Sequence, residues 1–206
     1  IISFVVCLSQ IPLGETPVSS EVWSEGLWFW LISASMILGR HLDRILLAAF
    51  VPFAVLGGYG AVVTLMGGFD VLMGTVGFLL LPTFAQTDDV QLRKRIAEVG
   101  LLVLGAVGFY WLFGEELLNL LFAGRYDDSK DLIPILLLAG VAKVAYAIPA
   151  SLLGGRLEAA ALKRFALGNL VLIVLTVGAF WILAQQFGIL GAAWATVAVW
   201  TARVLL

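Results

Sequence analysis

Residues 28–50, WFWLISASMILGRHLDRILLAAF, decide the fold of this chain, because they place a charged cluster inside an apolar run. The thirteen residues before the cluster, 27–39, carry no charge, and residues 45–69 after it carry none either. Thirteen residues are too few to cross a hydrocarbon core of about 30 Å, which takes roughly 20 helical residues. We therefore predict one helix, near residues 22–50, that carries the charged cluster within its span.

The charged side chains of this helix are predicted to share one face. Arg40 and Asp43 are three residues apart, and Arg40 and Arg44 are four apart, which is the spacing of neighbours on a helix surface. A charge inside a bilayer costs at least about 2.5–3.5 kcal/mol, so such residues face a cavity or a partner. Two interpretations stay open at this point: a self-neutralised structural pair near a membrane surface, or a role in substrate binding or ion coupling.

The composition of the chain indicates its class. Of the 206 residues, 62% are hydrophobic and 13% are charged, and the mean hydropathy is +1.06. A soluble domain would carry about 25% charged residues. We therefore predict an all-α protein, a polytopic bundle of transmembrane helices surrounded by membrane lipids. The net charge of −2 gives no indication of nucleic-acid binding.

The apolar runs and polar breaks predict three regions. We expect residues 1–13 to be the end of a preceding transmembrane helix, residues 14–26 to be a cytoplasmic linker, and residues 27–206 to be a lobe of six transmembrane helices. The chain is then a fragment of a longer protein. The expected helices lie near residues 22–50, 56–85, 99–121, 132–153, 165–184 and 189–206, separated by loops or turns at 52–58, 86–98, 123–131, 154–164 and 185–188. An alternative division makes residues 45–69 one span and leaves residues 71–85 as a short remnant.

Lysine and arginine residues in the loops predict the orientation. The loops at 86–98 and 154–164 lie on one side of the membrane and together hold six basic residues, against two in the loop at 123–131 on the other side. Basic loops stay in the cytoplasm. We expect the loops at 86–98 and 154–164 to be cytoplasmic.

Two further ionisable residues, Asp70 and Lys143, lie within predicted spans. Ionisable groups at this depth mark ion pathways or substrate sites. Either Asp70 pairs with Lys143 or an arginine as a structural ion pair, or the cations form a cavity wall that binds an anionic headgroup and leave the carboxylates to a coupling ion. The sequence contains no nucleotide-binding glycine loop and no His/Cys spacing of a metal site. We therefore predict a transporter, not an enzyme, with no metal and no cofactor other than a coupling ion.

Four stretches of this chain resemble one family of transporters. They are SASMILGRHLDRILLAAF (33–50), GGYGAVVTLMGGFDVLMGTVGFLLLPTFAQ (57–86), ELLNLLFAGRYDDSKDLIPILLLAGV (116–141) and FGILGAAWATVAVW (187–200). In order and spacing they are similar to the seventh, eighth and later helices of the polysaccharide (O-antigen type) flippases. These proteins belong to the superfamily that also contains the multidrug and toxin extruders. The resemblance covers the chain from about residue 27 onward.

The resemblance implies that residues 27–206 are the C-terminal six-helix lobe of a two-lobe transporter, with the N-terminal lobe of the same chain as its partner. The implied function is to flip a polyprenyl-pyrophosphate-linked oligosaccharide across the bacterial inner membrane for surface polysaccharide biosynthesis. An ion gradient of H⁺ or Na⁺, or the membrane potential, would drive the transport. Arg40, Arg44 and Lys143 would then bind pyrophosphate or acidic sugar, since guanidinium groups match phosphate oxygens bidentately. Asp43 and Asp70 would pair with those cations or bind the coupling ion.

Two alternatives remain. A cation-coupled multidrug extruder of the same superfamily would have a cavity dominated by acidic and aromatic residues. A non-transporting membrane assembly subunit would tolerate neutralisation of every intramembrane charge.

Overall fold

The computed structural model describes the backbone of residues 20–86, 89–155 and 159–205, and the side chains of residues 23, 26–28, 30–39, 41–80, 93–151 and 163–205. This part of the chain is all-helical and contains no strand. Its elements are α1 (Ser20–Leu47), α2 (Phe53–Leu65), α3 (Gly67–Gln86), α4 (Asp89–Phe122), a 3₁₀ turn (Asp127–Ser129), α5 (Leu132–Gly155) and α6 (Ala159–Val204). The predicted end of a preceding helix at 1–13 lies outside the described residues.

Helix α1 confirms that the apolar run and the charged cluster belong to one helix. It begins at Ser20, inside the stretch 14–26 that the sequence indicated as a linker, and it ends at Leu47. The charged residues therefore lie within the helix, as predicted, and close to its C-terminal end. Arg44 in the last turn interacts favourably with the negative end of the helix dipole.

Helices α2 and α3 form the long, glycine-rich segment that the sequence predicted near 56–85. Only Met66 separates them, where the helical hydrogen-bond ladder is interrupted. Asp70 lies near the middle of this segment, in the first turn of α3.

The expected turn at Gly57 and Gly58 was wrong, because both residues lie inside α2. The chain turns earlier, at residues 48–52. Glycine is needed at 58 for packing: a β-carbon there would overlap the hydroxyl of Ser129, which packs against α2 from the 3₁₀ turn.

Two expected loops are shorter than the sequence indicated. Helix α4 begins at Asp89, and α6 begins at Ala159, so most of the predicted loops at 86–98 and 154–164 is helical. Charged residues did not end these helices because water solvates them on the exposed surface. Arg95 and Glu98, for example, form an exposed ion pair of 2.8 Å one turn apart on α4.

Helix α6 divides at Gly188 into a first arm, residues 159–187, and a second arm, residues 189–204. Gly188 has a φ of 57° and a ψ of −133°, a conformation that only glycine adopts readily. Beyond Gly188 the chain doubles back. The evidence is that Gly191 lies so close to Leu183 that a β-carbon at Gly191 would overlap the carbonyl of Leu183. Residues eight apart in a straight helix would be about 12 Å apart along the axis. The predicted turn at 185–188 is therefore confirmed, reduced to a single residue.

Four stretches are long and apolar enough to cross a membrane, and they mark the chain as a helical membrane protein: Phe53–Leu80, Arg93–Phe122, Leu132–Ser151 and Lys163–Val204. Helix α5 lies at the centre of the bundle. It packs most closely against α3 and α6, and α1 packs mainly against α6. This arrangement brings the polar residues of α1, α3, α5 and α6 to the inside of the bundle.

Candidate functional site

Asp43 lies at the end of α1, buried between α1, α2 and α6. Its Oδ2 accepts a hydrogen bond of 2.8 Å from the hydroxyl of Tyr59, and its Oδ1 accepts one of 2.8 Å from the backbone N–H of Arg44. The carboxylate is only 7% exposed. A buried carboxylate requires such donors, because an unpaired charge in an apolar interior is strongly unfavourable.

Tyr59 extends this contact from α2 to the second arm of α6. Its hydroxyl oxygen is also 3.2 Å from Oγ1 of Thr196, and since the Tyr59 proton goes to Asp43, Thr196 is the donor in this contact. Oγ1 of Thr196 also lies 3.1 Å from the carbonyl oxygen of Ala192, to which it can donate instead. Asp43, Tyr59 and Thr196 thus form a hydrogen-bonded chain across three helices. The fully buried Tyr59 was not singled out by the sequence, where it is one tyrosine in an uncharged run.

Asp70 and Lys143 form an ion pair between α3 and α5. The Nζ of Lys143 is 3.0 Å from Oδ1 of Asp70, and the two side chains are 11% and 29% exposed. The contact lies off the direction of a hydrogen bond. It is therefore an electrostatic contact, and Asp70 has Lys143 as the partner that the sequence offered as one possibility.

A cavity of about 20 Å³ lies between the hydrogen-bonded residues Asp43 and Thr196 and the ion-paired Lys143. It is lined by Asp43, Lys143 and Thr196, and otherwise by apolar residues such as Met66, between α2 and α3, and Leu136 of α5. A single water molecule needs about 10–15 Å³ and two to four polar partners. The cavity therefore has room for one water molecule or an ion of similar size.

The predicted cluster also contains two arginines, Arg40 and Arg44. Arg44 is partly buried, and its Nε has no hydrogen-bond partner in the structure. The side chain of Arg40 lies outside the described residues. Asp43, Lys143 and Asp70 come together from three helices. Asp43 contacts Tyr59 and the backbone N–H of Arg44, and it forms no ion pair with the described guanidinium group of Arg44.

Sequence reasoning missed a second buried cation, Arg203, and the aromatic residue beside it. The Trp200 ring lies between two cations: Lys143 Nζ is 5.5 Å from its centroid and Arg203 Cζ is 4.7 Å from it. Both distances are those of cation–π contacts. The sequence did contain a pattern that indicates this contact. Thr196, Trp200 and Arg203 are spaced four and three residues apart and so share one helix face.

The described residues contain no group of three His, Cys, Asp or Glu side chains that could hold a metal ion. What the site offers instead is three buried or half-buried cations (Arg44, Lys143 and Arg203) and two carboxylates (Asp43 and Asp70) inside apolar helices.

Comparison with protein-family models, with curated proteins and with solved structures finds no match to this chain.

Proposed function

We propose that this protein is a membrane transporter that flips a polyprenyl-pyrophosphate-linked oligosaccharide across the bacterial inner membrane. The observation that supports the proposal best is the group of charges around Asp43 and Lys143. Lys143 and its partner Asp70 lie in stretches apolar enough to span a membrane, and Asp43 of α1 borders the same cavity as Lys143. Charged groups are costly in that environment and are found where ions or substrates pass. The similarity of residues 33–50, 57–86, 116–141 and 187–200 to polysaccharide flippases supports the choice of cargo.

Lys143 binds the pyrophosphate in this proposal by exchanging its partner. In the structure its charge is compensated by Asp70 at 3.0 Å. A pyrophosphate that enters the lobe competes with Asp70 for the ammonium group. A coupling ion that binds to Asp70 removes this competition, so that its binding favours binding of the anionic cargo.

Asp43 is the second carboxylate available to a coupling ion. Its oxygens and the hydroxyl of Thr196 border the cavity of about 20 Å³, which supplies the oxygen ligands that a hard cation prefers. Lys143 borders the same cavity, and its positive charge opposes a metal cation there. Arg40 and Arg44 complete the binding of the headgroup in the proposal.

Complementation tests this function. The full-length gene is expressed in a host that lacks its own O-unit or capsule flippase, and surface polysaccharide is measured together with the amount of protein in the membrane. The variants are Arg40→Ala, Arg44→Ala and Lys143→Ala. The matched control is Arg125→Ala, which removes an exposed cation from the loop between α4 and α5.

We expect wild type and Arg125→Ala to restore surface polysaccharide, and Lys143→Ala to lose it at normal protein level. Full activity of all three test variants would refute a cationic cargo site and would leave these residues a role in structural pairing only. Failure of the wild type itself, together with export of cationic drugs, would favour the multidrug extruder.

A further inference from the structure

The Arg203 guanidinium group is a buried cation that has no counter-ion among the residues whose side chains the structure describes. The side chain is 1% exposed, and none of its three nitrogens, Nε, Nη1 and Nη2, makes a hydrogen bond. No carboxylate forms an ion pair with it within the described parts of the chain. The face of Trp200 at 4.7 Å compensates the charge in part, but it satisfies none of the N–H donors.

Unsatisfied polar atoms also surround this cation on the neighbouring helices. Tyr146 of α5 is fully buried, packs edge-on against Trp200 at 5.9 Å between ring centroids, and has a hydroxyl group without a well-aligned hydrogen bond. The hydroxyl lies near Asn169 of α6, whose Nδ2 donates to the carbonyl of Phe165 while its Oδ1 stays unpaired. The guanidinium group of Arg203 and the phenol ring of Tyr146 thus both contact Trp200, and each carries a hydrogen-bond donor without an acceptor among the described residues.

The backbone of α1 leaves room for the guanidinium group at Gly39. A β-carbon at this position would overlap Nη2 of Arg203 and would lie 3.0 Å from its Cζ. Every other residue type would therefore displace the group. Gly39 makes the approach of α1 to Arg203 possible.

An open cleft leads to this region. Its volume is about 420 Å³, and it lies between α1, α3 and α5, where Met36, Gly74, Gly77, Phe78 and Tyr146 line it. The volume falls in the range of about 300–1,000 Å³ that is typical of ligand pockets. Met36 and Gly39 are three residues apart on α1 and so share one face, which places the cleft and the guanidinium group about one helical turn apart. Tyr146 belongs to both, as a wall of the cleft and as a neighbour of Trp200.

We infer that Arg203 and Tyr146 bind the phosphate group of a lipid, whose apolar chain lies in the cleft and extends past Phe78. Arg203 presents a fork of N–H donors that matches two phosphate oxygens, Tyr146 donates to a third, and Trp200 holds the guanidinium in place. The methionines and Phe78 of the cleft suit an apolar chain and exclude a free sugar or nucleotide. The phosphate belongs either to the polyprenyl carrier or to an anionic phospholipid, and the polyprenyl source rests on the proposed function.

Lipid binding to the full-length protein in nanodiscs tests this inference by native mass spectrometry. One arm titrates polyprenyl pyrophosphate into phosphatidylcholine nanodiscs, and the other compares phosphatidylglycerol with phosphatidylcholine. The variants are Arg203→Gln, Arg203→Lys and Tyr146→Phe, and Arg125→Gln is the control.

We expect Arg203→Gln to weaken binding of the phosphate lipid at least tenfold, Arg203→Lys to weaken it less, and Arg125→Gln to leave it unchanged. If Arg203→Gln loses binding of polyprenyl pyrophosphate, the phosphate at the site belongs to the polyprenyl carrier. If it loses binding of phosphatidylglycerol, the ligand is an anionic phospholipid, and this result stands even if the flippase proposal fails. Equal binding of both lipids by wild type and Arg203→Gln overturns the site, even if complementation succeeds.

Thermal melting without phosphate lipid separates binding from folding. Removal of a buried charge that has no partner does not destabilise a fold, so Arg203→Gln is expected to melt at or above the wild-type temperature in phosphatidylcholine. A clear decrease in melting temperature would show that Arg203 has a structural role and would also overturn the site.

Discussion

Helices α4 and α5 have nearly the same hydropathy and opposite surroundings. Their apolar windows have a mean hydropathy of 1.9 and 2.0, yet 6% of the window is buried in α4 and 56% in α5. Large side chains such as Leu104 and Leu112 cover the outside of α4, whereas Lys143 and Tyr146 of α5 point into the bundle. Hydropathy therefore identifies the helices that belong in a membrane, but it does not identify the central one.

The largest expected difference in stability between variants of α5 and variants of α4 comes from their charged residues. Lys143→Met in α5 leaves Asp70 without its cation, and removal of one partner of a buried ion pair costs about 3–5 kcal/mol. Since Asp70 keeps some exposure, we expect the lower end of this range. Glu115→Gln in α4 changes an exposed side chain and is expected to stay within about 0.5 kcal/mol of the wild type.

Unfolding of the purified variants in detergent, followed by circular dichroism, measures this difference. Adding Asp70→Asn to Lys143→Met is expected to recover stability, because neither charge then remains unpaired. If Lys143→Met and Glu115→Gln unfold alike, the ion pair does not stabilise the bundle.

A second difference concerns leucine residues of the two helices. Leu137→Ala in α5 creates a cavity in the core and is expected to cost about 2–3 kcal/mol, as neighbouring side chains relax in part. Leu112→Ala in α4 alters an exposed side chain and is expected to change the free energy of unfolding by less than about 0.5 kcal/mol. The same unfolding measurement checks both variants. A large effect at Leu112 would show that another protein segment, not lipid, covers α4.

The smallest expected difference in stability between variants of the two helices comes from glycine residues. A β-carbon at Gly140 of α5 would lie 2.6 Å from the Phe69 ring, so Gly140→Leu forces α3 and α5 apart and is expected to cost about 1–3 kcal/mol. Gly105 of α4 has open space around it, and Gly105→Leu is the matched control. We expect its melting temperature to equal or exceed that of the wild type, since leucine favours a helix over glycine. Equal melting of the two variants would contradict close packing of α5 at Gly140.

Sequence reasoning predicted the parts of this fold that depend on local properties. The helix class, the single helix through residues 28–47, the glycine-rich segment around Asp70 and the turn before Ile189 are all present. Glycine at 57 and 58 misled it, because the same residue type permits a turn or a close helix contact. Charged residues at 89–98 misled it as well, because a helix that leaves the membrane accommodates charge on its exposed surface.

The candidate site was predicted only in part. Asp43, Asp70 and Lys143 were identified because each interrupts an apolar run, but whether Asp70 pairs with Lys143 depends on the contact between α3 and α5. Tyr59 and Trp200 carry no such signal, since aromatic residues are ordinary in membrane helices. Arg203 also interrupts an apolar run, so the sequence could have indicated it. Only the structure showed that its guanidinium group packs against Gly39 and that its three nitrogens make no hydrogen bond with the described residues.

The sequence by itself determined that this chain forms apolar helices with a few charges inside them, because transfer from water to lipid is a sum over individual residues and can be read along the chain. The tertiary structure decided that α5 is the central helix, that Lys143 faces Asp70 and that Arg203 is buried with no ion-pair partner in the described part of the chain. These outcomes depend on distances between residues far apart in the sequence. The energy of a charge depends on its neighbours in space, which no local pattern specifies.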